Sequence, residues 1–389
     1  MQVARYDTSL RLQAIDATRG TAMLLVCLSH FGWVYFRSTQ AETKEIVERI
    51  GMIASPTFIL ISGLMLGFLY RIRERERLQM QRKLFARGLF LLTIGHMVMV
   101  GALIYYWGNL GDALRQEFIT DSIGVCIMLG PLLVVGLTVS SRLVLSFALY
   151  SLSWVIVWYW HPHRLPLEIM EEVAFGAFGG HLWLHYSFPL VPWFSLYLTA
   201  TCLGEQIGLF ALANDAASIK RLLTRIALGS LFFSVLLKSG YLLFSTVRAP
   251  LPDSLLWALT CPFQKLPPSP DYFAFYGSIG LLVLRGFIEL DQTNRGTILL
   301  KVLSLVGQTS LFAFFAQSYL YYTVLDALPA PPMLLWPVYF FGSFALLCVA
   351  CLVWHEKGWN RLLTVRLTDV LSSERRTEGS PVSMATSSK

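Results

Sequence analysis

The chain has 389 residues, 55% of them hydrophobic and only 14% charged, and a net charge of +7. Soluble domains carry about 25% charged residues, so a water-soluble fold hiding this much apolar surface is excluded. The excess of base does not call for nucleic acid, because anionic lipid on a cytoplasmic leaflet is the simpler partner.

Residues 1–19 are expected to be cytoplasmic. The first apolar run contains a histidine and is followed by no small-residue cleavage pattern, so it reads as a retained helix and not a signal peptide. Apolar runs then fall near 20–36, 51–70, 89–107, 123–139, 143–160, 190–212, 226–246, 273–290, 302–325 and 333–354. Each is about as long as a helix that crosses a hydrocarbon core. In lipid every backbone N–H and C=O needs an internal partner, so the runs must be helices. The sequence therefore predicts an all-α polytopic membrane protein of about ten spans, with a membrane domain over 20–354.

One set of connections holds Arg71, Arg73, Arg75, Arg77, Arg82, Lys83 and Arg87, then Arg142, then Lys220, Arg221 and Arg225, then Arg295 and Lys301. The other set is poor in base. This asymmetry predicts that both termini are cytoplasmic and that the protein sits in a cell membrane. The outer connection 161–188 alternates apolar residues with Glu168, Glu171 and Glu172. It reads as a helix lying on the outer face, with Trp183, Tyr186 and Phe188 as interfacial anchors. Residues 355–389 read as a cytoplasmic tail, rich in Ser and Thr from Ser372 on and expected to be disordered.

Ionisable groups at membrane depth cost at least about 2.5 kcal/mol and usually face a cavity or a partner. Arg19 and His30 are eleven residues apart, three turns plus about 20°, and Asp16 precedes Arg19 by three. All three can share one face, with His30 about 16 Å beyond Arg19. A guanidinium at the cytoplasmic mouth suits a donor's phosphates, with the basic 71–87 loop behind it. An imidazole deeper in suits a general base or an acyl-carrying nucleophile. The bland alternative has Asp16 as a helix cap, Arg19 snorkelling and His30 bridging helices.

His96 has a depth matching His30 and is either a second polar member of the site or a packing residue. Lys238 and Glu205 differ in depth by about 9 Å and read as an ion pair. Arg285 and Glu289 have the spacing of a surface pair. His181 and His185 are four apart but lack the glutamate of a metalloprotease helix, and no metal site is expected from them or from His161 and His163. Cys348 and Cys351 lie inside an apolar run, where packing is the ordinary role.

The stretch Ile15-Asp16-Ala17-Thr18-Arg19-Gly20, followed by an apolar run to His30-Phe31, resembles the opening of the multi-pass acyltransferase superfamily. That group includes the acyltransferase-3 enzymes and the catalytic domain of heparan-alpha-glucosaminide N-acetyltransferase. Further blocks resemble it in order: Ser55-Pro56-Thr57-Phe58, Arg87-Gly88, Phe188-Pro189-Leu190-Val191-Pro192-Trp193, Pro267-Pro268-Ser269-Pro270 and Gly307-Gln308-Thr309-Ser310-Leu311. Gln317 departs from it, since many relatives carry a histidine there.

The resemblance implies an acyltransferase that uses acyl-CoA, acetyl-CoA first, as co-substrate and no metal. The acceptor would be a sugar hydroxyl or amine on a glycan or lipid-linked molecule at the outer side. His30, Arg19 and Asp16 would be catalytic, and Arg19, Arg71, Arg73 and Arg87 would hold the donor. His96, Gln317, Lys238 and Trp193 are weaker substrate candidates. The rival reading is a secondary transporter that works through Lys238 and Glu205.

Overall fold

The computed structural model describes residues 8–36, 41–73, 77–177, 183–247, 253–293, 296–328 and 332–363. Within them the chain forms helices and no named strand. These are α1 (Thr8–Tyr35), α2 (Ala41–Gly51), α3 (Ala54–Ile72), α4 (Arg77–Phe90), α5 (His96–Trp107), α6 (Leu110–Leu114), α7 (Ile119–Gly136) and α8 (Val139–Tyr159). There follow α9 (Leu165–Ala174), α10 (Leu190–Leu212), α11 (Ala216–Val247), α12 (Asp253–Thr260), α13 (Pro270–Gln292), α14 (Thr297–Gln308), α15 (Ser310–Tyr319) and α16 (Trp336–Glu356). A π-turn over Leu91–Gly95 joins α4 to α5, and another over Leu320–Leu325 extends α15.

All ten expected runs fall on these helices. Seven of the described helices are long and apolar enough by themselves to cross a membrane, and the bent pair α14–α15 makes an eighth. The shortfall is instructive. α1 and α10 are absent from the seven, and both are threaded with polar groups such as Thr18, Ser29 and His30, or Ser195, Thr201 and Glu205. They sit in the interior of the bundle, where α10 buries Trp193, Tyr197 and Leu198 completely. Helices on the periphery show the opposite pattern. α8, α11 and α16 leave Phe147, Phe232, Val235, Val338 and Phe341 exposed on faces suited to lipid.

Lipid offers no hydrophobic drive for helix association, so close packing through small residues takes over. Gly20 lies so near α14 that a Cβ there would come within 1.9 Å of the Leu303 carbonyl oxygen. Gly307 is as tight, 1.8 Å from the Asp16 carbonyl oxygen. These two glycines lock the entry turn of α1 against α14. The chain then bends by 80° between α14 and α15. The expected single span over 302–325 is thus a broken one.

The bend lets α15 climb alongside α1. Arg19 meets Ser310 at 2.7 Å, His30 meets Gln317 at 3.0 Å, and the Phe31 ring lies 6.0 Å from that of Tyr321. One helix pair therefore carries both residues that the sequence singles out.

The connection 161–188 departs from expectation. Among its described residues only Leu165–Ala174 is helical, and its Glu172 carboxylate turns inward to accept the N–H groups of Trp183 and Leu184 at 2.6 and 2.7 Å. Phe188 is buried and Tyr186 lines a cavity. The 183–188 stretch thus forms part of a wall of the bundle, where the carboxylate satisfies backbone donors. His181 and the tail beyond 363 lie outside the described residues.

Candidate active site

Two cavities meet near the middle of α1. The first, about 230 Å³, is lined by Arg19, Arg87, Ser62, Thr120 and Ser310 among apolar residues of α3, α4 and α7 such as Met65, Met80 and Ile123. The second, about 150 Å³, is lined by His30, Ser29, Gln116, Glu117, Lys265 and a set of aromatic rings including Trp33, Trp107 and Tyr186. Ile119 and Phe314 belong to the walls of both. The arginine cavity lies toward the end of the bundle where α3 finishes and the basic α4 begins. The imidazole cavity lies toward the connections 108–118, 183–188 and 261–269.

His30 owes its orientation to Gln317. The Gln317 amide is fully buried, and its Nε2 donates to the Phe314 carbonyl at 3.0 Å and to Ser318 Oγ at 2.8 Å. With both donors of that nitrogen spent, Oε1 is the atom that faces His30 Nδ1 at 3.0 Å, and it can only accept. His30 must then carry its proton on Nδ1. Nε2 is left with a free lone pair in a residue that lines the cavity. The Tyr322 and Phe314 rings, at 5.2 and 6.4 Å, confine the imidazole further. Gln317, which the resemblance marks as a departure, is in space the group that fixes the His30 tautomer.

At the other end, Arg19 donates to Ser310 Oγ and sits 3.8 Å from Asp16 Oδ1. Asp16 stands at the mouth of α1, beside Gln13, Lys301 and Gln308 in a separate open cleft. It holds the guanidinium and is remote from His30. Arg87 shares the arginine cavity. Arg71 and Arg73 end α3 on the same side but do not line it.

The remaining candidates are distributed elsewhere. His96 Nδ1 lies 3.0 Å from Asp121 Oδ2, and that carboxylate also accepts the Phe118 N–H that begins α7. The histidine is occupied as a helix tie and lines neither cavity. Trp193 is wholly buried among Phe188, Tyr272 and Phe273.

The expected pairing of Lys238 with Glu205 is incorrect. Lys238 Nζ lies 3.6 Å from Asp271 Oδ2. Glu205 pairs with Arg142, which lies not in a basic connection but on the first turn of α8, with its side chain 1% exposed. The buried members of the two pairs are Arg142 and Asp271, and each is matched by an ion of opposite charge, as burial of charge requires. The Arg285–Glu289 pair is present at 3.9 Å, with Lys220 closer to the same carboxylate at 2.9 Å. Gln116, Glu117 and Lys265 were not anticipated. They fall in connections between spans, and only a carboxylate immediately before an apolar run could have flagged Glu117.

Residues 11–233 match the family described as Heparan-alpha-glucosaminide N-acetyltransferase, catalytic. That is more than half of the chain. The chain belongs to this family. The matched region contains Asp16, Arg19, His30, Arg87, Glu117 and Trp193, while Gln317 and the 267–270 and 307–311 blocks lie beyond it. A comparison with curated proteins found no match. The protein is accordingly a multi-helix membrane protein of an acetyltransferase family.

Proposed function

We propose that the protein moves an acetyl group from acetyl-CoA, bound at the basic end, to an amine or hydroxyl of a sugar that enters from the opposite end. By the positive-inside rule the basic end faces the cytoplasm. Arg19 and Arg87 hold phosphate oxygens of the donor, with Arg71 and Arg73 adding to the field at the mouth. The largely apolar cavity behind them takes the pantetheine arm and delivers the thioester to the wall made by Ile119 and Phe314.

His30 Nε2 acts as general base. It takes the proton of the acceptor N–H or O–H as that atom forms its bond to the acyl carbon. The carbon–sulfur bond breaks, and the proton passes to the thiolate to leave CoA as a thiol. Asp16 acts only through Arg19.

One observation carries this reading. An imidazole whose Nδ1 is engaged by Gln317 lines a cavity that shares wall residues with an arginine-lined one. A glucosaminide is the first acceptor to try, given the family's description. In proteoliposomes of the full chain, CoA release from acetyl-CoA should depend on added methyl α-glucosaminide. His30→Ala should lower it by about a hundredfold or more with the protein still inserted. Full activity in that variant would remove His30 from the mechanism, and solute uptake without CoA release would favour a transporter.

A further inference from the structure

The wall of the imidazole cavity opposite α1 contains two side chains that the mechanism above does not use. Gln116 and Glu117 lie in the short connection between α6 and α7, and they are only 7% and 6% exposed. Both line the cavity. The connection is held rigidly. Glu117 N–H donates to the Tyr186 carbonyl at 2.9 Å, His185 N–H to the Arg115 carbonyl at 2.8 Å, and Phe188 N–H to Glu117 Oε2 at 2.9 Å.

This strap satisfies one carboxylate oxygen and leaves the other alone. Glu117 Oε1 and Gln116 Nε2 are buried and have no hydrogen-bond partner. Such groups are costly to leave buried and unpaired, and more so where one is charged, unless something completes them. Burial foremost holds the Glu117 carboxyl well above the usual glutamate range, reinforced by nearby Asp121 and opposed by the Phe188 N–H, so a hydrogen-bond donor arriving at Oε1 is what would favour its carboxylate form. The aromatic residues Trp33, Tyr106, Trp107 and Tyr186 border the same space. They present apolar faces around a small polar floor, the composition of a site for a ring bearing hydroxyls.

We propose that Gln116 and Glu117 are the acceptor clamp: Glu117 Oε1 accepts a hydrogen bond from the acceptor, Gln116 Nε2 donates one to it, and together they set the nucleophile against His30. The clamp rests on the transferase reading above. It fixes which acceptors fit, namely those offering a donor and an acceptor oxygen on one ring. Its residues are positioning residues, and neither takes part in bond making.

The test uses variants that keep the strap. In Glu117→Gln the side chain can still accept the Phe188 N–H through its oxygen, which turns its nitrogen toward the acceptor and inverts the polarity of the free atom. In Gln116→Leu the Nε2 that is removed has no partner to lose. With the full chain in proteoliposomes, acetyl-CoA as donor and methyl α-glucosaminide as probe, both variants should raise the acceptor KM about tenfold or more while the acetyl-CoA KM stays within about twofold. Unchanged acceptor KM in both variants would overturn the clamp, as would a fall in kcat with that KM unchanged. Absence of any acceptor-dependent CoA release by the unaltered protein is a different result. It would remove the transferase reading and the clamp with it.

Discussion

The two cavities differ in how they obtain their polar groups, and that difference separates two kinds of task. On the basic side the charged groups are long cations on helices, Arg19 and Arg87, set among flexible apolar side chains such as Met65 and Met80. Such a site suits a ligand with a charged head and a long, pliant arm. On the opposite side the polar groups are individually held by a neighbour: His30 by Gln317, Glu117 by the Phe188 N–H, and Lys265 by the Tyr186 hydroxyl at 2.7 Å. Fixed groups suit chemistry and selection, because a group held in one geometry loses nothing further when the ligand arrives. The thin wall of Ile119 and Phe314 is where the pliant ligand would meet the fixed groups.

If the division is right, mutations on the two sides should change different constants. The largest effect belongs to His30→Ala, which should lower kcat by about 10²- to 10⁴-fold, the range for loss of a general base. Next is Arg19→Ala. It should raise the acetyl-CoA KM by about ten- to a hundredfold and spare the acceptor KM, since charged hydrogen bonds are worth about 1.5–3 kcal/mol; an equal rise in both constants would blur the division.

Gln317→Leu sharpens the comparison further. It leaves the imidazole in place but takes away the acceptor of the Nδ1 proton, so both tautomers become accessible and kcat should fall about tenfold with both KM values nearly unchanged. Transfer assays over a range of acetyl-CoA and acceptor concentrations read all three variants.

The smallest effect concerns the rim and not the chemistry. Asp112 accepts from the Asn109 amide, and His185 Nε2 lies 2.9 Å from it. The Asn109 bond foremost, then His185, holds its carboxyl below the ordinary 3.8. A depressed carboxylate contributes stability that is complete above its ordinary value and is lost as pH falls through the lower folded one. Asp112→Asn should therefore lower the melting temperature slightly at neutral pH, and the gap to the unaltered protein should close in acid.

The sequence made the helical class legible because composition and run length depend on the solvent alone. It also made the Arg19–His30 stripe legible, since eleven residues on one helix fix a geometry without reference to the rest of the chain. What it could not supply were partners far away in sequence. Gln317 is 287 residues from His30, and only the bend between α14 and α15 brings them together. Arg142 and Glu205 differ in a similar way. Their pairing depends on how α8 packs on α10, which periodicity does not reveal, so Lys238 was assigned to a glutamate that already had a closer partner. Glu117 escaped notice because a carboxylate between two spans normally faces water.

The central claim is that donor and acceptor reach one site from opposite ends of the bundle. It is tested most directly by sealed proteoliposomes of known orientation, with acetyl-CoA confined to one side and methyl α-glucosaminide to the other. CoA should appear only when acetyl-CoA is on the side of Arg19 and Arg87 and the glucosaminide is on the side of Glu117. Transfer that needs both compounds on the same side would contradict the account.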